Sequence, residues 1–332
     1  MQRTVLVTGA SGGIGSAVAC RLADYGASIR VLVRDPAKLP LSVANATTSI
    51  TMGSVLDSAT MLAAAAGGGS CDAIVCCVDF PAAEYPKHME AVAIAVQCAA
   101  RTGAALIVPS PKLAIGAGFR TPVGPGRRRS PTTRLGAIRA RSDVMVREKA
   151  LEARVPLTLL RLADVYGPNT RMPMLVPIIE AALDGRTIIW PGPLDTRIEL
   201  LFITDAAEAI TKATFNPRRD TDYTVAGFAP ITANDFCGLV AANTGGRSRI
   251  RTATSFGVGF RTKISQFEPT MVLSDEVLLA AEPFRQDFGY TPTVDYATGI
   301  RECLRWVSSG RHVESVSVSV SNPPKSDFSP RS

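Results

Sequence analysis

The sequence predicts an α/β fold, a Rossmann-like doubly wound parallel sheet with a smaller carboxy-terminal substrate domain. Three observations carry this. Short aliphatic runs alternate with longer Ala-rich periodic segments through the first half of the chain, the pattern of repeated βαβ units. A glycine-rich turn, Thr8-Gly9-Ala10-Ser11-Gly12-Gly13-Ile14-Gly15, joins the first aliphatic run to the first helical segment. Beyond Tyr166 the alternation weakens and Pro and Gly become more frequent, which points to a covering region grafted on the sheet.

Taken in order, the β-branched and aliphatic runs place strands at Thr4–Val7, Ser28–Val33, Thr48–Met52, Ala73–Val78, Ala105–Val108 and Leu157–Leu160. Helical periodicity fills the intervals at Ile14–Tyr25, Ser58–Ala66, Pro86–Thr102 and Arg134–Ala153, with a further helix at Met174–Leu183. Between Gly116 and Pro131 the chain is rich in Gly, Pro and Arg, including Arg120, Arg127, Arg128 and Arg129, so a loop without regular structure is expected. From about Ser315 the Ser/Val/Pro-rich chain is expected to be a disordered tail, or, through its Ser-Val alternation to Val320, a stray edge strand. The expected division is 1–165 for the dinucleotide-binding domain, 166–310 mainly for substrate, and 311–332 for the tail.

Composition excludes several classes. Of 332 residues, 46% are hydrophobic and 20% charged, too apolar for a disordered chain. No apolar run approaches the ~18–20 residues of a membrane span. Met1–Val7 runs directly into the glycine turn with no signal-peptide pattern, and a cytoplasmic location is expected. Seven cysteines, an odd number with no metal-ligand spacing, read as reduced thiols, and no metal is expected. The net charge of +7 comes largely from scattered arginines without a recognition motif, so no nucleic-acid partner is expected.

The glycine turn carries the cofactor. A strand, spaced glycines and a helix start together form a dinucleotide-binding context. Gly9 permits the tight turn, Gly12 lets the backbone approach a pyrophosphate, and Gly15 allows close helix–strand packing. The helix amino terminus offers free N–H groups to phosphate, placing Ser11, Gly13 and Ile14 in the same site. An acidic residue after the second strand would bind the ribose of NAD, but Arg34 occupies that place, followed by Asp35 and by Lys38. Arg34 and Lys38 suit a 2′-phosphate, so NADP(H) is favoured over NAD(H). The alternative is that Arg34 points to solvent and Asp35 takes the ribose. Gly53–Asp57, including Ser54 and Val55, should border the adenine, and Cys77 and Val78 are also expected to bind the cofactor.

These residues resemble the extended short-chain dehydrogenase/reductase family, also called the NAD-dependent epimerase/dehydratase family. The resemblance covers about residues 3–308 and rests on Thr8–Gly15, Val108-Pro109-Ser110 with Gly116, Leu160–Pro168, Leu201–Ala209, and Phe288–Pro292 with Gly299 and Trp306. It implies a Rossmann domain with a substrate domain, about 199–226 returning to the Rossmann sheet, a small-molecule substrate, and a homodimer formed through the helices Pro86–Thr102 and Arg134–Ala153.

The resemblance also implies a Tyr-x-x-x-Lys pair after the fifth strand, in which tyrosine moves a proton and lysine lowers its pKa. This chain has Leu135 and Arg139 there, or Ala137 and Arg141 in a register shifted by two, and no tyrosine is followed four residues later by lysine. The family's helper serine falls at Ser110 or at Pro111. Arginine cannot act as a base, though Arg139 or Arg141 could bind an anion or oxyanion. Family geometry offers Asp79, Tyr85, His88, Lys112, Asp164 and Tyr166 as replacement groups. An arginine expected before the Phe-Ile-Thr-Asp segment falls at Ile198, with Arg197 one place off, and a later diphosphate-binding arginine has no counterpart near Phe267-Glu268-Pro269. This argues against a nucleotide-sugar substrate. Two readings follow: an enzyme acting on a small oxygen-rich or anionic metabolite by an altered mechanism, or a non-catalytic dinucleotide-binding sensor or scaffold.

Overall fold

The computed structural model describes residues 2–80, 84–116, 122–127, 129–170, 175–218, 221–252 and 276–309. In chain order the strands among the described residues are β1 (Thr4–Thr8), β2 (Ser28–Val33), β3 (Ser49–Met52), β4 (Ala73–Cys76), β5 (Ala105–Pro111), β6 (Leu157–Leu162), β7 (Asp164–Tyr166), β8 (Ile188–Trp190), β9 (Arg197–Ile198), β10 (Leu200–Phe202), β11 (Thr221–Val225), β12 (Ile231–Thr232) and β13 (Ile250–Thr252). The principal helices are α1 (Gly13–Asp24), α2 (Leu41–Ala46), α3 (Ser58–Ala66), α4 (Pro86–Thr102), α5 (Arg134–Glu152), α6 (Leu175–Leu183), α7 (Ile203–Phe215) and α8 (Ala233–Ala242).

A seven-stranded sheet in the spatial order β11-β6-β5-β4-β1-β2-β3 forms the centre, and every pairing is parallel. Alternate residues feed two cores, as strand geometry requires of a sheet covered on both faces. Val5, Val7, Val75, Ile107 and Leu160 pack with α1 and α7, whereas Leu6, Ile74, Leu106 and Leu159 pack with α3, α4 and α5. A third cluster around Trp190, Phe236, Tyr166, Tyr296 and Ile300 holds the smaller region together.

Local chemistry sets the boundaries. Asp57 caps α3 by accepting from the Ala59 N–H at 3.0 Å, and Thr133 caps α5 by accepting from the Gly136 N–H at 2.9 Å. Strand β4 ends at Cys76, two residues short of the expectation, and Cys77 and Val78 continue toward the carboxyl ends of the sheet. Strand β5 runs through Pro109 and Pro111, beyond its expected end at Val108. Pairing with β4 stops at Ile107, while pairing with β6 continues to Pro111, so the prolines' missing N–H groups fall where one side of the strand has no partner.

Several segments identified by motif alone acquire structural roles. Buried Asp205, in the Phe-Ile-Thr-Asp stretch, accepts from Thr293 N, Thr293 Oγ1 and Val294 N, each at 3.0 Å. The Arg-rich segment is more ordered than expected where it is described. Val123 is buried and its N–H donates to Leu278 O at 2.8 Å, and Gly116 bridges to Ser130. Arg120, Arg128, Met174, Phe267–Pro269 and the tail beyond Ser309 lie outside the described residues.

Candidate active site

A cavity of about 600 Å³ opens at the carboxyl ends of the central strands, beside β1 and β4, where the order of connections reverses and α/β sheets bind ligands. Its wall includes Gly9, Ser11, Gly12, Gly13, Ile14 and Gly15 from the glycine turn, Arg34 after β2, Ser54 and Val55 after β3, and Cys77 and Val78 after β4. Ser110, Asp79, Tyr85 and Arg139 stand along the same cavity, with Asp164 and Thr170.

The turn is packed too tightly for side chains. Gly9 has φ +74°, and a Cβ there would lie 2.5 Å from the Cys77 carbonyl oxygen. A Cβ on Gly15 would overlap the Gly9 carbonyl, and one on Gly13 the carbonyl of Asn169. The Gly13 contact with the segment after β7 was not evident from the motif. Gly12 is the N-cap of α1 and supplies no side-chain cap, so the first-turn N–H groups of the helix are available to an anion at the cavity wall.

At the ribose end, Arg34 is exposed and lines the cavity. Asp35 accepts from the Ala37 N–H at 3.1 Å and caps the 3-10 turn Pro36–Lys38. Lys38 is carried away by that turn. Its Nζ lies 3.8 Å from Asp35 Oδ2, its side chain is 77% exposed, and it is not part of the cavity wall.

The wall also carries a polar cluster. Buried Arg139 pairs with Asp79, lies 5.2 Å from the Tyr85 ring centroid, and places Nη1 2.6 Å from His88 Nε2. His88 is buried, and desolvation with the adjacent guanidinium pushes its pKa down to about 3, which keeps the ring neutral. Burial raises the Cys76 and Cys77 thiols, leaving them protonated and poorly nucleophilic at neutral pH.

Ser110 Oγ donates to Asp143 Oδ1 at 2.8 Å. Asp143 carried no sequence motif. Its only signal is its place with Arg139 and Ser142 on a buried polar stripe of α5. Lys112 is buried below the cavity, with Nζ 2.9 Å from Asp164 Oδ2, and does not itself line the wall. Arg141 is exposed on α5 and lies outside the wall. Tyr166 is also outside it. Its ring packs on Phe202, Phe236 and Tyr296, and among the described residues its buried hydroxyl has no hydrogen-bond partner. Of the arginines expected to crowd the pocket mouth on the loop and α5, Arg139 is the one among the described residues that lines the cavity. Arg129 instead turns inward and donates to Ala140 O at 3.2 Å.

The NAD dependent epimerase/dehydratase family profile matches residues 5–226, and the chain belongs to that family. It is therefore an epimerase/dehydratase-type enzyme built for a nicotinamide dinucleotide, and the glycine cradle with its uncapped helix start fits that group. The fold is shared with dTDP-glucose 4,6-dehydratase from Bacillus anthracis in complex with NAD (TM-score 0.75, 16% identity, 92% of this chain and 97% of that one). It is also shared with dTDP-glucose 4,6-dehydratase from Streptomyces venezuelae with NAD and TYD bound (0.75, 19%, 93% and 98%). UDP-glucose 4-epimerase from Thermotoga maritima, with UDP-glucose, is similar as well (0.76, 16%, 93% and 100%). No curated protein sequence matches the chain.

Proposed function

We propose that the protein is an NADP(H)-dependent enzyme that acts on a small oxygen-rich or anionic metabolite without a phenol–lysine pair. The reaction is a reduction with a substitute acid or a redox-neutral isomerisation, dehydration or cyclisation. The observation that carries this reading is the composition of one cavity, whose wall joins a glycine cradle and Arg34 with Arg139, Asp79 and Ser110.

When bound, the nicotinamide ring supplies or accepts a hydride. The glycine turn and the α1 amino terminus would hold the pyrophosphate, and Ser54 and Val55 would border the adenine. Arg34 would meet a 2′-phosphate, since Asp35 already serves its own turn. Arg139 stays protonated, so it orients an anionic group or stabilises developing negative charge and takes no proton. The Lys112–Asp164 pair braces the wall beneath.

The protein is further proposed to be cytoplasmic and homodimeric. Helices α4 and α5 pack together, and α5 leaves Val144 and Leu151 exposed at 45% and 64%, apolar surface that a second copy would cover. Light scattering should then give twice the 35.1 kDa chain mass. A stable monomer at micromolar concentration would count against the dimer.

Turnover is tested by following dinucleotide absorbance at 340 nm with a panel of lactate, glycerol 3-phosphate, inositol, cyclohexanol and their carbonyl counterparts, together with product analysis for redox-neutral change. Turnover of a polar or anionic member with NADP(H) supports the reading. Failure to bind either dinucleotide would end it.

A further inference from the structure

Sequence and structure leave one chemical gap: no phenol stands on α5 to exchange a proton with a substrate hydroxyl. Ser110, on the cavity wall at the end of β5, donates to Asp143 on α5 at 2.8 Å, and the two residues are 4% and 3% exposed. The carboxylate is held unevenly. Oδ1 takes the Ser110 hydroxyl, whereas Oδ2 has no hydrogen-bond partner among the described residues. It faces Arg161 Nε of β6 at 3.5 Å and Arg129 Nη2, from the segment before α5, at 3.7 Å. Asp222 of β11 completes the cluster, paired with Arg161 Nη2 at 2.6 Å and with Arg147. Asp143 is not part of the cavity wall, and Ser110 is the wall residue that bonds to it.

We propose that Ser110 and Asp143 form a proton relay that replaces the missing phenol. It rests on the dinucleotide-dependent reading above. A substrate hydroxyl gives its proton to Ser110 Oγ while the Ser110 proton passes to Asp143 Oδ1. The hydrogen on the carbinol carbon leaves with its electron pair for the oxidised nicotinamide dinucleotide, so the alcohol becomes a carbonyl and the dinucleotide is reduced. In the reverse direction Asp143 returns the proton through Ser110 to the carbonyl oxygen. Ser110 is the group that meets the substrate, and Asp143 is a positioning residue that acts through it. Burial raises the Asp143 carboxyl above its ordinary value, against the pull of Arg161 and Arg129 and with the like charge of Asp222, which favours proton acceptance.

The test combines three measurements on the full chain. Calorimetry with NADPH should give affinities within twofold for wild type, Ser110→Ala, Ser110→Thr and Asp143→Asn, because none of these changes touches the glycine cradle. Carboxyl 13C NMR titration, with Asp143→Asn assigning the signal, should place Asp143 above the usual aspartate value of about 3.9. Ser110→Ala should move that midpoint by half a unit or more, and Ser110→Thr should restore it. With the panel alcohol oxidised fastest by wild type, Ser110→Ala should lose turnover at least a hundredfold and Ser110→Thr should recover much of it. Asp143→Asn should abolish the acid limb of the pH–rate profile. An Asp143 midpoint at or below the ordinary value, or wild-type turnover in Ser110→Ala, would overturn the relay alone. No oxidation of any panel alcohol by the wild type would also overturn the relay, whereas failure of the wild type to bind either dinucleotide would overturn the reading on which it rests.

Discussion

Arg139 Nη1 lies 2.6 Å from His88 Nε2, so a neutral imidazole buried on α4 holds a guanidinium in the cavity wall. The arginine is thereby fixed from two sides, by His88 and by Asp79. It presents a permanent charge to the cavity, held in orientation by His88 of α4.

This arrangement makes stability depend on pH. His88 titrates at about 3 in the folded chain against 6.5 for the free side chain, so the unfolded chain binds more protons between those values. Stability should be fully present above pH 6.5 and fall as pH drops toward 3, by at most ~4–5 kcal/mol at 1.36 kcal/mol per unit. Urea midpoints measured from pH 7 to 4 should fall less steeply in His88→Gln than in wild type. Equal slopes would show that His88 is not the group responsible.

Tyr166 provides a contrast. Its hydroxyl is buried without a hydrogen-bond partner among the described residues, and burial pushes its pKa up. Tyr166→Phe removes an unsatisfied polar atom and should be neutral or stabilising by about 1–2 kcal/mol, with unchanged turnover. A large loss of turnover at unchanged thermal stability would return Tyr166 to the chemistry.

Two glycines should respond in opposite directions to alanine. Gly13→Ala drives a Cβ into the Asn169 carbonyl and should lower both the melting temperature and NADPH affinity. Gly238→Ala, in α8 with nothing within 4 Å of its Cβ, should stabilise by about 0.5–1 kcal/mol through helix propensity. Similar losses from both would mean that the turn after β7 does not sit against the glycine cradle.

Restoring the family pair should not improve the enzyme. Leu135 is not in the cavity wall, and Arg139→Lys would give up the planar fork that joins His88 to Asp79. The double variant Leu135→Tyr with Arg139→Lys should therefore show no gain in turnover and a loss of stability, read by activity on the panel and by thermal melting. A gain in turnover would show that the native site is a degraded phenol site.

The central sheet was legible because its strands are continuous aliphatic runs and its helices Ala-rich with clear starts. Strand β5 runs past its expected end at Val108, because a parallel strand paired on one side tolerates Pro109 and Pro111. Lys38 lies outside the cavity wall because Asp35-Pro36 forms a capped 3-10 turn, a local hydrogen-bond choice that charge spacing does not encode. The Ser110–Asp143–Arg161–Asp222 network was the least legible. Its members lie far apart in sequence and meet only when β5, β6 and β11 align against α5. Its visible traces were the serine at Ser110, the polar stripe on α5 and an arginine inside the apolar run Leu160-Arg161-Leu162.

Titration calorimetry with NADPH and NADH, on wild type and on Arg34→Ala, tests the central claim most directly. Charge-assisted bonds to a 2′-phosphate contribute about 1.5–3 kcal/mol each, so wild type should favour NADPH by roughly tenfold or more, and Arg34→Ala should erase most of that preference while leaving NADH affinity nearly unchanged. Tighter binding of NADH by the wild type, or an NADPH affinity that Arg34→Ala does not reduce, would contradict the assignment.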